Sequence, residues 1–253
     1  MKIAICITGH MRQSINAFPN SIPIFKFIDE VKKFNLNIKY FISTYSSNGH
    51  NIGLHTSDKQ DVNTDILKSI ENCIYEVDDD NIYDKYIDSL SLKYNSVFKG
   101  LEPQNPPYHV QRYQILSMFN KINNCYKLLD DTYDIILRTR FDCLFNIDTF
   151  LGVLNNIRSN RIHIPWEYEF EGEIAPGGGR INDVMGMGLE SDMRIYMQTF
   201  EWLKTDECLN YMLKNKLWFC PHTILRHQLV RNGISYTKDN FQCRIVRKNG
   251  SIL

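Results

Sequence analysis

The chain lacks a surplus of charge of either sign, a long apolar run, paired cysteines and a complete glycine-rich phosphate loop. Its 29 basic and 29 acidic residues cancel. Nucleic-acid binders ordinarily carry a basic surplus against the phosphate backbone, so this balance argues against nucleic acid as the main partner. It leaves room for a local anion site, which needs only one or two arginines and some free backbone N–H groups. No stretch approaches the roughly 20 apolar residues of a spanning helix, so no membrane span is expected. The apolar run near the start covers only Ile3 to Ile7 and no small-residue cleavage site follows it, so no secretory signal is expected. The seven cysteines are odd in number and scattered without a Cys-x-x-Cys pair. They read as reduced structural thiols of a cytoplasmic protein. His50 and His55 lie in a polar loop with no third ligand nearby, which argues against a zinc site there. His109, His222 and His227 are equally unsupported as ligands, and no serine elbow exists on which to build a triad.

What remains is an ordinary globular composition. At 253 residues and 43% hydrophobic, the chain can bury one sizeable core, and one α/β domain over residues 1–253 fits better than two small ones. Strand patterns cover Lys2–Thr8, Ile38–Thr44, Cys73–Val77, Tyr133–Arg138, Arg161–Ile164, Val184–Leu189, Ser235–Lys238 and Phe241–Arg247. Helical spacing marks Ser21–Phe34, Val110–Leu129, Asp192–Trp202, Asp206–Lys214 and His222–Asn232. A β-α-β-α-β beginning implies right-handed crossovers and a mainly parallel central sheet with helices on both faces. In such sheets ligands bind beyond the carboxyl ends of the strands.

The segments at those ends carry the candidate chemistry. After the first strand, Thr8-Gly9-His10-Met11-Arg12 offers close backbone approach at Gly9 and a planar fork for phosphate at Arg12. After the second, Thr44 and Tyr45 suit a nucleobase by hydrogen bonding and stacking. The fourth strand runs into Arg138-Thr139-Arg140-Phe141-Asp142, where alternation puts Arg138, Arg140 and Asp142 on one side. Two arginines and a carboxylate there suit a diphosphate and a divalent cation, Mn²⁺ or Mg²⁺. The alternative is a structural Arg–Asp salt bridge at the sheet edge. Asp78-Asp79-Asp80 reads as a solvated acidic turn rather than a metal motif. Gly177–Gly179 and the glutamates before it suggest a lid. Asp183, directly before a strand, is placed to act as a general base toward an acceptor hydroxyl.

Taken in order, KIAICITGHMR, YFISTYSS, QILSMFNKINNCYKLL, YDIILRTRFDCLF, INDVMGMGLESDMRIY and CPHTILRHQLVRNGI resemble a diffuse group of bacterial and viral glycosyltransferases. These are capsular-polysaccharide or lipopolysaccharide-type transferases of the GT-A, nucleotide-diphospho-sugar fold. The resemblance runs from Lys2 to about Ile234 and rests on the series rather than on any one motif. It implies a UDP- or GDP-sugar donor and a carbohydrate acceptor. The donor half would span about 1–145 and the acceptor half about 146–253, in the cytoplasm, or the host cytoplasm for a viral member. It implies Thr8, Gly9 and Arg12 near the diphosphate with Arg138 and Arg140, Thr44 and Tyr45 near the nucleoside, Asp142 near the metal and Asp183 near the acceptor. The sequence departs from the group in carrying Arg140-Phe141-Asp142 where many members have Asp-x-Asp. Two other readings are a non-catalytic nucleotide- or carbohydrate-binding module and a nucleotidyltransferase, for which GHMRQS is a poor phosphate loop.

Overall fold

The structure, a computed structural model, describes residues 1–11, 22–46, 64–78, 85–98, 108–165, 181 and 183–245. Strand β1 (Lys2–Thr8) is buried along its whole length apart from Lys2. Helix α1 (Pro23–Val31) begins on a proline, whose missing N–H is no loss in a first turn. It leads to β2 (Asn37–Tyr45), a short 3-10 helix (Thr64–Ser69) and β3 (Cys73–Asp78). Helices α2 (Lys85–Phe98) and α3 (Tyr108–Lys127) precede β4 (Ile135–Arg140) and the short β5 (Cys143–Leu144). Asn146 caps α4 (Ile147–Leu154) by accepting from the N–H groups of Asp148 and Thr149. Then come β6 (Arg161–Pro165), β7 (Gly186–Leu189), α5 (Glu190–Met197), α6 (Thr199–Leu203), α7 (Asp206–Lys214), α8 (Pro221–Arg231), β8 (Ser235–Asp239) and β9 (Arg244–Ile245).

Seven strands form one sheet in the order β3-β2-β1-β4-β7-β6-β8, and β5 pairs with β9 apart from it. The pairings β1–β2, β1–β4, β2–β3 and β6–β8 are parallel, while β7 runs antiparallel to β4 and β6. The sheet is therefore mainly parallel with one reversed strand. Because β7 is reversed, its first residue, Gly186, sits opposite Arg138 near the carboxyl end of β4. The residues entering β7 are thus delivered to the same edge as the ends of β1 and β4.

Both faces of the sheet are covered, which explains why its strands read as near-continuous apolar runs. Ala4, Cys6, Phe41 and Ile136 pack with Leu116, Phe119, Met193 and Tyr196 on one side. Ile3, Ile5, Ile7, Ile135 and Leu137 pack with Phe27, Phe150 and Met187 on the other. Four elements fall outside the strands and helices expected from sequence: the 3-10 helix Thr64–Ser69, α2, α4 and β5. Strand β4 runs to Arg140 rather than ending at Arg138, and the helix expected over Asp192–Trp202 is divided into α5 and α6. The proposed lid at Gly177–Gly179 lies outside the described residues.

Gly186 is required by packing. A Cβ there would lie 3.0 Å from the ring of Tyr196, which is itself buried and would have to shift by a few tenths of an ångström. Gly186→Ala is therefore expected to cost about 1–3 kcal/mol, the usual range for overpacking a core, read as a lower urea midpoint at unchanged slope. An unchanged midpoint would mean that Tyr196 has room to move.

Candidate active site at the carboxyl edge of the sheet

The sequence-predicted residues that fall within the described chain gather at one edge but play unequal parts. Arg138 is 1% exposed. Its Nε and Nη2 donate to Thr8 Oγ1 at 3.2 and 3.0 Å, and its Nη1 donates to the carbonyl of Asp183. A guanidinium taken out of water is tolerable only with partners of this kind. Arg138 and Thr8 thus bind each other and hold the entry to β7, and Arg138 does not face an incoming ligand.

Arg140, two residues on, is partly open, with 24% of its side chain exposed. Its Nε and Nη2 donate to the two oxygens of Asp142 at 2.8 and 2.7 Å, a bidentate fork. The salt bridge weighed as the alternative reading of Arg-Phe-Asp is therefore present. Asp142 is almost wholly buried beneath it. Burial works against the charge on Arg140, but the carboxylates of Asp142 and, beyond it, Asp183 outweigh burial and push its pKa above the ordinary arginine value. The turn is tied to α1 by the N–H of Ile24, which donates to the carbonyl of Phe141 at 3.2 Å.

Asp183 is half-buried at the start of the segment leading to β7. Its Oδ1 lies 3.7 Å from Nδ1 of His222, on the first turn of α8. That same Nδ1 donates to the carbonyl of Ile181 at 2.7 Å. The reversed strand thus brings Arg140, Asp183 and His222 to one place.

On the β1–β2 side, Gly9 has φ +100°, a conformation that favours glycine. Its N–H donates to the carbonyl of Ser43 and its own carbonyl accepts from Thr44 Oγ1 at 2.8 Å. Thr44 is fully buried and locks Gly9 rather than facing outward. Tyr45 stacks on His10 with ring centroids 4.5 Å apart. Its hydroxyl pairs with Ser117 Oγ at 2.7 Å, and the Lys121 ammonium lies 4.4 Å from its ring centroid. Lys121 is 2% exposed and also meets the Thr44 carbonyl and Asp78. Asp78 therefore serves as an ion-pair partner of α3. Arg12 lies outside the described residues.

His10, Ser117, Lys121 and His222 are site residues that sequence reasoning missed. His10 carried a readable signal, an aromatic ring directly after the glycine that ends β1. Lys121 and His222 carried none, because a single lysine on a long helix reads as solvated and an isolated histidine has no motif.

Among the described residues, no group of three or more His, Cys, Asp or Glu side chains is arranged to hold a metal ion. Both oxygens of Asp142 accept from a guanidinium, whose positive charge opposes a cation at the same place. This arrangement does not fit a divalent metal.

No protein-family model matches the sequence, and no curated protein does either. Solved structures are similar in layout only. Mouse xyloside xylosyltransferase 1 is 10% identical with TM-score 0.41, over 92% of this chain and 84% of that one. The galactosyltransferase LgtC, in complex with donor and acceptor sugar analogues, is 11% identical with TM-score 0.45, over 94% and 73%. The Francisella tularensis 2-C-methyl-D-erythritol 4-phosphate cytidylyltransferase IspD is 9% identical with TM-score 0.42, over 94% and 91%.

Arg138 and Arg140 should separate by mutation. Arg138→Met is expected to lower stability by about 1.5–3 kcal/mol, the range for losing a hydrogen bond to a charged group. Arg140→Met is expected to cost about 3–5 kcal/mol, because it leaves the buried Asp142 carboxylate without its guanidinium, and adding Asp142→Asn should recover part of that loss. Urea denaturation of the three variants checks this, and no recovery in the double variant would contradict the pairing.

Proposed function

We propose that this chain transfers a sugar from a nucleoside-diphosphate donor, a UDP- or GDP-sugar, to a carbohydrate hydroxyl. The observation that carries the reading is the meeting, at one carboxyl edge, of an aromatic pair, a part-open guanidinium and a carboxylate. Each suits one portion of the reaction. His10, stacked on Tyr45, is the ring directed to a nucleobase, while Ser117 and the Lys121 ammonium over its ring hold Tyr45 in place. Arg140 offers fixed positive charge where the diphosphate leaves, and the Asp142 carboxylate orients it. Charge grows on that leaving group in the transition state, so a guanidinium already in place favours the transition state over the ground state. Asp183 stands on the far side of Arg140, as the acceptor-side carboxylate.

A thermal-shift screen with UDP-, GDP-, CMP- and dTDP-sugars tests the donor class, each with and without Mn²⁺ or Mg²⁺. A donor at a hundred times its dissociation constant should add about 2.7 kcal/mol of stability. The nucleoside diphosphate should stabilise more than its monophosphate, since Arg140 addresses the diphosphate. No shift with any of them overturns the reading.

Asp183→Asn separates binding from chemistry. It should leave donor affinity by calorimetry near that of the unaltered protein and suppress sugar transfer by about 10²–10⁴-fold, the usual weight of the proton-transfer step it supports. Loss of donor affinity on the scale of Asp142→Asn would show that Asp183 belongs to the donor side instead.

A further inference from the structure

We propose that His222, rather than Asp183 itself, takes the proton from the acceptor hydroxyl, and that Asp183 acts through it; the proposal rests on the glycosyl-transfer reading above. Nδ1 of His222 lies 2.7 Å from the carbonyl oxygen of Ile181. A carbonyl oxygen can only accept, so Nδ1 carries the hydrogen, and in the neutral ring the lone pair is on Nε2. The backbone thereby fixes the tautomer that leaves a basic nitrogen on the opposite edge of the ring. One third of the side chain is exposed, and the assignment places the acceptor hydroxyl at the Nε2 edge.

The second observation is the carboxylate. Asp183 Oδ1 stands 3.7 Å from Nδ1, too far for a hydrogen bond and close enough to attract the imidazolium once it forms. Asp183 therefore interacts more strongly with the protonated ring than with the neutral one, which is the condition for lowering a barrier. The same carboxylate is drawn toward Arg140, whose charge it helps to hold.

The third observation is rigidity. The segment carrying Asp183 is held at the Ile181 carbonyl by His222 and at the Asp183 carbonyl by Arg138. His163 makes a useful contrast. Its Nδ1 is 2.8 Å from Asp239, but the ring is buried, so no acceptor hydroxyl reaches it.

In the step so assigned, the acceptor oxygen forms a bond to the anomeric carbon as the bond from that carbon to the diphosphate oxygen breaks. The hydroxyl proton passes to Nε2 of His222, and the bonding pair leaves with the nucleoside diphosphate beside Arg140. His222 then returns its proton to solvent. A single displacement of this kind inverts the anomeric configuration.

The test uses the full chain and whichever of UDP-glucose, UDP-galactose, UDP-N-acetylglucosamine, GDP-mannose and GDP-fucose stabilises it. Turnover is read as nucleoside diphosphate released, with water or added sugar as acceptor. His222→Asn places an amide N–H where Nδ1 was, so it keeps the bond to Ile181 and removes only Nε2. We expect this variant to fold with a similar midpoint, to bind donor as before and to lose about 10²–10⁴-fold in turnover. His222→Asn combined with Asp183→Asn should be little slower than His222→Asn alone, because Asp183 acts through the ring. Long-range ¹H–¹⁵N correlation, assigned by loss of the signal in His222→Asn, should show the Nδ1–H tautomer. Turnover of His222→Asn within about threefold of the unaltered protein, fully multiplicative losses in the double variant, the Nε2–H tautomer or a retained anomeric configuration would each overturn the assignment. If the unaltered protein binds no nucleotide sugar, the glycosyl-transfer reading falls and takes this role with it. If it binds and transfers but His222→Asn does so too, only the role of His222 falls.

Discussion

The buried guanidinium of Arg138 is the constraint on which the edge of the sheet depends. It joins the end of β1, through Thr8, to the segment that enters β7, through the carbonyl of Asp183. A charge enclosed in an apolar sheet is expensive without partners, so once the sheet closes these groups must meet. That requirement positions the reversed strand, and the reversed strand delivers Asp183 beside Arg140. Gly186 contributes from the same place, since only a residue without a side chain lets Tyr196 pack against β7 next to Arg138.

Outward from that anchor the charges alternate. Asp142 holds Arg140, Arg140 attracts Asp183, and Asp183 lies at ion-pair distance from His222. Each group limits the freedom of the next, so the arrangement is set before any ligand arrives, and preorganised charge of this kind favours a transition state. The aromatic pair on the β1–β2 side is fixed by different means, with Ser117 and Lys121 reaching from α3 to Tyr45. The site thus divides into a stacking half braced by a helix and a charged half braced by the reversed strand.

Much of the architecture was legible in the sequence because it follows from periodicity. The run KIAICIT reads as a strand buried on both faces, and it is one. The apolar positions of α3, Leu116, Phe119 and Ile122, recur at helical spacing and are buried as that spacing implies. Ile87, Leu90, Tyr94 and Phe98 show the same spacing in α2, so its signal was present though unread. Helix α4 is different: eight residues, IDTFLGVL, are too short and too apolar for periodicity to separate helix from strand.

The sequence by itself determined that an α/β sheet would present Thr8-Gly9, Thr44-Tyr45, Arg140 and Asp142 at its carboxyl edge, because strand ends and side-chain alternation are properties of local chain. Only the tertiary structure decided what each of them does there. Arg138 and Thr8 lie 130 residues apart, and nothing local says that they will bind each other instead of a phosphate. The pairing of Arg140 with Asp142 was within local reach, but its burial depends on the turn being tied to α1. His222 on α8 meets Ile181 from 41 residues away, at the segment that leads into the reversed strand β7. Hydrogen bonds across such separations are set by how the buried polar groups of the whole sheet satisfy one another, a condition that no window of sequence contains.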